Sequence, residues 1–239
     1  MTGKLLVYSC VTGSYDDVYA GILASKMAFS EGTSYALYTD QLAPGSPTRQ
    51  YKLTGAGNSW ELRPLLWQHP LCKRRTARWH KANSHLIPDD VEHTLWIDGS
   101  QQIKEGVLLR SQLVEPLQDM SDLASFKHPE RTCVYQELMA CRRWKKDNFA
   151  LMKQQMETYK EEGYPPYNGL VETACVLRAH RKTHVTQFNQ LWWQQMDQHS
   201  FRDQLSFNYT AWKLGHTFGI IPGHRTDSPY FDYVPHKHG

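Results

Sequence analysis

Three short apolar runs, each cut off by small polar residues, constrain this chain more than any other feature. They are Leu5–Val11 before Thr12-Gly13-Ser14, Tyr35–Thr39 before Asp40, and Thr94–Ile97 before Asp98-Gly99-Ser100. Runs of this length, rich in β-favouring residues and bounded by turn formers, read as strands buried on both faces. The segments between them carry helical patterns: an Ala-containing stretch over Val18–Phe29, and Cys72–Leu86, which Pro88 stops. Leu42–Ser59 is dense in Gly, Pro, Ser and Thr and reads as an irregular loop.

Beyond residue 100 the alternation continues. His128-Pro129-Glu130 reads as a helix start, and Val134, Leu138 and Cys141 then share one face, with a break near Asp147 before the pattern ends at Glu162. Ala174–Leu177 is a further strand, and Val185–Gln198 and Ser200–Leu214 are further helices. Strands alternating with helices predict an α/β fold, a Rossmann-like three-layer α/β/α sandwich around a mostly parallel central sheet. A length of 239 residues without a polar linker is expected to form one domain, 1–239.

Composition narrows the function classes. Apolar residues make up 40% and aromatics 12%, so the chain can fill a core and is not an intrinsically disordered one. A net charge of +3 falls far short of the basic stripe of a dedicated nucleic-acid binder, so nucleic acid is not the expected partner. No apolar stretch approaches the roughly 20 residues that cross a bilayer, and the first apolar run has no cleavage site behind it. The five cysteines are scattered and lack a CxxC spacing. Reduced thiols in a cytoplasmic protein are the expectation.

In a parallel α/β sheet, ligands bind beyond the carboxyl ends of the strands, where the three polar sets converge. Gly13 would let backbone amides approach a ligand, with Thr12 beside it; Tyr15 offers a stacking face, and Asp40 an acceptor for a ribose hydroxyl. Asp98, placed at the rim after an apolar run, is costly to bury unpaired, and a divalent cation would stabilise it. Ser100 is only a weak neutral ligand. Arg74, Arg78, Lys81 and His85 are spaced by four, three and four residues and would share one helix face, as a diphosphate clamp or as a solvated basic row. Ser200 and Asp203 fit a capping box, and Asp203 equally fits a general base beside Gln204. His216, His224, His236 and His238 match no zinc spacing, although His216 or His224 could complete a cation site with Asp98.

Six segments in order resemble a glycosyltransferase-like family once called DUF616, whose plant members include the TOD1/MUCI70 group. They are Val11–Asp17, Arg78-Trp79-His80-Lys81 through His85-Leu86, Trp96–Ser100, Phe126–Arg131, Gly169–Glu172 leading to Val176-Leu177-Arg178, and Arg202–Phe207. The resemblance implies a GT-A type fold, a nucleotide-diphosphate-sugar donor, and Asp98 standing where such enzymes carry a DxD metal motif. It further implies that Asp203 and Gln204 lie near the acceptor and that His128 and Arg131 line the pocket. Ser100 departs from the pattern, which weakens the case for Mn2+ or Mg2+.

The expected function is therefore transfer of a sugar to an acceptor hydroxyl of a glycan, with residues 1–100 as the nucleotide half and 101–239 as the acceptor half. Asp98 with a metal, helped by Arg78 and Lys81, would neutralise the leaving diphosphate. Asp203 would act as the base, with Glu172, ahead of the strand ending in Arg178, as its rival. The alternatives are a hydrolase of lipid or glycan, an activity described within this family, and a non-catalytic nucleotide-sugar binding module.

Overall fold

The computed structural model describes residues 4–13, 22–25, 30–42, 47–52 and 59–235. β1 (Leu5–Val11) is buried along its whole length, as its unbroken apolar run requires. Its side chains alternate between two cores: Leu5, Val7 and Val11 enter one, Leu6, Tyr8 and Cys10 the other. β2 (Thr33–Thr39) and β5 (His93–Ile97) flank it in parallel. β3 (Arg49–Lys52) and β4 (Ser59–Pro64) continue the sheet past β2. Past β5 come β8 (Val171–Ala179), β7 (Leu123–Lys127) and β9 (Gly219–Ile221).

The eight strands run in the order β3-β4-β2-β1-β5-β8-β7-β9. β4, β2, β1 and β5 form a parallel block, and β8 is antiparallel to both of its neighbours. β6 (Gln101–Ile103) and β10 (Phe231–Tyr233) form a separate antiparallel ribbon.

One face of the sheet is covered by α1 (Lys73–Ala82), α5 (Thr183–Gln198) and α6 (Asp203–Lys213), through Ala82, Phe188, Trp192, Met196, Phe207 and Ala211. The other is covered by the turn at Ile22–Ala24 and by a helical stretch that ends in α2 (Glu115–Gln118), through Leu109, Leu113 and Leu117. Beside α6, α3 (Val134–Arg143) and α4 (Phe149–Glu161) build a third cluster around Met152, Met156, Tyr159 and Tyr209. The architecture is the expected Rossmann-like α/β sandwich. Among the described residues, no helix is long and apolar enough to cross a membrane.

Several elements depart from the sequence reading. The expected loop over Leu42–Ser59 contains β3 and the start of β4; Trp60, fully buried, anchors β4 on Tyr35. The helix expected to reach Leu86 ends at Ala82, where the Asn83 side chain donates to the Trp79 carbonyl and a 3-10 turn follows at Ser84–Leu86. The helix expected at Pro129 begins at Val134, because His128 Nδ1 accepts from the Glu130 and Arg131 amides and holds the chain in a turn. Of the helix expected over Val18–Phe29, only 22–25 is described, as a single 3-10 turn.

Within α1, His80 ties the helix to the chain after β4. Its Nδ1 donates to the Thr76 carbonyl (2.9 Å) and its Nε2 accepts from the Leu66 amide (3.1 Å). Burial, offset only in part by the Thr76 bond, lowers its pKa to about 4. Because the folded value lies below the unfolded one of about 6.5, the contribution of His80 to stability is complete above pH 6.5 and is lost as pH falls towards 4. In urea unfolding, the stability advantage of wild type over His80→Gln is expected to shrink by about 3 kcal/mol across that window. A difference that stays constant with pH would refute the neutral, buried assignment.

Candidate functional site

The site forms beyond the carboxyl ends of β1, β2 and β5, and its centre is a buried ammonium. Lys81, on the last turn of α1, is fully buried, and its Nζ lies 3.0 Å from Asp98 Oδ1, 2.5 Å from Asp203 Oδ2 and 3.3 Å from Thr173 Oγ1. It also sits 5.5 Å from the centre of the Trp96 ring, whose Nε1 donates to Asp98 Oδ1 at 2.7 Å. Arg78, one turn earlier, reaches Asp203 at 3.3 Å and Asp98 at 3.9 Å. Arg178 braces the ammonium's helix from beneath by donating to the Lys81 carbonyl (2.8 Å) and to the Tyr8 hydroxyl.

Asp203 is the first residue of α6 and is almost fully buried. Burial works against its charge, yet Arg78, Lys81 and Arg202 together hold its carboxyl well below the usual carboxylate range. The capping box is not formed. Ser200 instead donates to Asp147 Oδ2 (2.6 Å), and Asp203 turns Oδ2 into the ion-pair cluster while Oδ1 accepts from the Gln204 amide. A carboxylate this acidic and this enclosed is a poor proton acceptor, so Asp203 positions Lys81 and Arg78.

The second carboxylate stands on the other face. Glu172, the second residue of β8, has a side chain 13% exposed; its Oε2 accepts from the Arg225 amide (2.9 Å) and its Oε1 lies 3.6 Å from the Arg225 guanidinium. Arg225 itself stacks over Tyr233 at 4.9 Å, and its carbonyl accepts from Gln101. His128 lies close by; burial, and then Arg131, lower its pKa, so it is neutral. Its Nε2 is 2.8 Å from Arg131, which pairs with Glu137 at 2.6 Å.

At the β1 and β2 ends, Gly13 takes a positive φ of 68°, and its amide donates to both Asp40 oxygens at 3.0 Å. Asp40 also pairs with Lys73 (3.1 Å), and Thr12 donates to the Lys73 carbonyl. These bonds tie the ends of β1, β2 and α1 together and already engage the Asp40 carboxylate. Tyr15, like His236 and His238, lies outside the described residues.

Five expectations are corrected. Arg178 is fully buried between Tyr8, Lys81 and Trp192, so it belongs to the core and not to the pocket wall. Lys81 is enclosed as well, and acts through Asp98 and Asp203. Ser100 is buried, with its carbonyl accepting from the Val234 amide. His85 leaves the basic row, because α1 ends before it and its ring faces Asn189. His216 stands past the far end of α6, beside His184 at 5.7 Å, roughly 15 Å of helix away from Asp203. Gln204, as expected, stays beside Asp203, between Arg202 and the Val171 carbonyl.

The donor set around Asp98 does not fit a divalent cation. An ammonium and an indole N–H occupy Asp98 Oδ1, Ser100 faces inward, and His224 turns its Nδ1 to Thr226. Among the described residues, no group of three His, Cys, Asp or Glu side chains could hold a metal. Several partners carried no sequence signal: Thr173, Asp147 and Arg225 are isolated in the chain and reach the site only through folding. The tryptophan two residues before Asp98 was visible, but its donor role needs the geometry.

Comparison of the sequence with known proteins points to a glycosyltransferase-like family. The sequence model described as TOD1/MUCI70, glycosyltransferase-like domain, matches residues 1–221. A relative, the probable hexosyltransferase MUCI70 of Arabidopsis thaliana, is 26% identical over 227 residues, which cover 88% of this chain. The chain spans 37% of that relative's length.

Asp203→Asn leaves the buried Lys81 with one carboxylate in place of two. Loss of one partner from a buried ion-pair cluster is expected to cost about 3–5 kcal/mol in urea unfolding, against about 1 kcal/mol for a lost helix cap. A change below about 1 kcal/mol would restore the capping role.

Proposed function

Because the chain belongs to the TOD1/MUCI70 glycosyltransferase-like family, we propose that it transfers a hexose from a nucleoside-diphosphate sugar to a hydroxyl group of a glycan. The observation that carries this reading is the ion-pair cluster of Arg78 and Lys81 with Asp98 and Asp203 at the carboxyl edge of a parallel block of strands. That edge is where α/β sheets take nucleotides. The parallel block followed by an antiparallel strand supports a GT-A type arrangement, with 1–100 as the nucleotide half and 101–239 as the acceptor half of one catalytic unit.

In the transfer, the acceptor oxygen bonds to the anomeric carbon as the bond from that carbon to the diphosphate breaks. The electron pair of the broken bond goes to the diphosphate oxygen, and the acceptor proton goes to a carboxylate. Glu172 is the carboxylate suited to that proton, since Asp203 is enclosed and held ionised. Arg78, one-fifth exposed, is suited to the leaving diphosphate. Gly13, with its carboxylate-bound amide, fixes the strand ends on which the nucleoside would rest.

Incubation with UDP- and GDP-hexoses and glycan acceptors is expected to release nucleoside diphosphate. Glu172→Gln should lower turnover by at least about 100-fold with donor affinity changed less than about twofold. Donor binding without release in the wild type would favour a binding module, and release of free sugar alone, with no transfer product, would favour a hydrolase.

A further inference from the structure

A groove of about 770 Å³ opens on the α3–α4 side of the fold, a volume within the range of small-molecule sites. It is lined by Tyr135 and Met139 of α3, by Lys160 of α4, and by Tyr164, Pro165 and Tyr167 of the chain leading into β8. Tyr164 is buried against Tyr209 and Trp212 of α6, with ring centroids 5.7 and 5.3 Å apart, so the groove rests on the third hydrophobic cluster. The Tyr135 hydroxyl donates to the Tyr164 carbonyl at 2.8 Å, and Lys160 Nζ lies 5.1 Å over the Tyr135 ring. These contacts tie α3, α4 and the loop before β8 to one another.

Tyr167 is the lining residue that packing does not explain. Its φ is 57°, in the left-handed region that a bulky side chain avoids, yet its ring is 68% exposed and gains little from the fold. The loop imposes that conformation. Pro165 and Pro166 fix the backbone ahead of it, Gly169 takes a φ of 77°, and Asn208 of α6 accepts from the Val171 amide (3.0 Å) and donates to the Asn168 carbonyl (3.5 Å). Strain held in place by its surroundings is typical of ligand clamps. Met139, 53% exposed, adds a second apolar surface to the same groove.

The chemistry of the lining narrows the occupant. Aromatic and thioether surfaces combine with the Lys160 and Gln136 donors, and among the described residues no acidic side chain lines the groove. A pyranose ring, with C–H groups on its face and hydroxyls on its edge, matches that combination. A diphosphate, which needs several cations, does not. The groove also leads to the proposed site. The His128 amide donates to the Leu170 carbonyl at 2.9 Å, joining the segment that enters α3 to the one that enters β8. Tyr167 precedes Glu172 by five residues, at most about 17 Å of extended chain. On the reading that a glycan hydroxyl reacts beside Glu172, we infer that this groove holds other sugar units of the same acceptor chain, stacked on Tyr167 and Met139.

Calorimetry on the full chain, without nucleotide, tests this with hexasaccharides of β-1,4-linked glucose, mannose, galactose and xylose, and with a proline-rich decapeptide as the competing occupant of an aromatic groove. At least one hexasaccharide is expected to bind. Its dissociation constant should rise about tenfold in Tyr167→Ala and stay within about twofold in Tyr167→Phe, which keeps the aromatic face, with thermal unfolding alike in all three proteins. In transfer assays the same glycan should show an acceptor KM raised in Tyr167→Ala by the same ratio. Absence of hexasaccharide binding, equal binding by wild type and Tyr167→Ala, or Tyr167-dependent binding of the peptide alone would overturn the inference and leave the proposed function standing, because donor turnover is measured separately. Tyr167-dependent glycan binding in a chain that turns over no nucleotide sugar would sink the proposed function and keep the groove as a glycan site.

Discussion

The ion-pair cluster around Lys81 is the interaction on which the arrangement of the site depends. An ammonium with no exposure to water would lose several kcal/mol of solvation, and the Asp98 and Asp203 carboxylates, with the Thr173 hydroxyl and the Trp96 ring, offset that cost. Those partners come from α1, the end of β5, the start of β8 and the start of α6. Satisfying one buried charge thus fixes the relative placement of four elements. Arg178 extends the same constraint through the sheet, since it holds the Lys81 carbonyl from the core side.

This constraint makes Asp203 a weak proton acceptor. The same cations that make its burial tolerable keep it ionised far into acid, so it gives little driving force to a proton transfer near neutral pH. Glu172 differs in that its ion-pair partner Arg225 comes from the chain between β9 and β10, and its side chain is 13% exposed. The two carboxylates are set apart by environment, and the roles proposed for them rest on that difference.

The strands with unbroken apolar runs were legible in the sequence because burial on both faces forces their composition: β1, β2, β5 and the middle of β8 all appear where the pattern put them. β3, β4 and β7 were not, since edge position or mixed composition removes that signal; β4, for example, alternates Trp60 and Leu62 with Glu61 and Arg63 and is held by pairing with β2. Asp98, Arg78 and Lys81 were legible as a site because spacing puts the cations on one helix face opposite a strand end. For Asp203 the sequence leaves a helix cap and a general base both open: Ser-x-x-Asp encodes a cap only if the serine is free, and here Asp147, more than 50 residues away, has taken it.

The basic row read from α1 was correct in its residues and incomplete in its charge. Two of its four members are cancelled by buried carboxylates and a third, His85, lies off the helix. Further cations come from just before α6 and from between β9 and β10, and there Arg202 faces Asp203 and Arg225 is paired with Glu172. Such pairings have no local motif, because their members are far apart in the chain and meet only through folding.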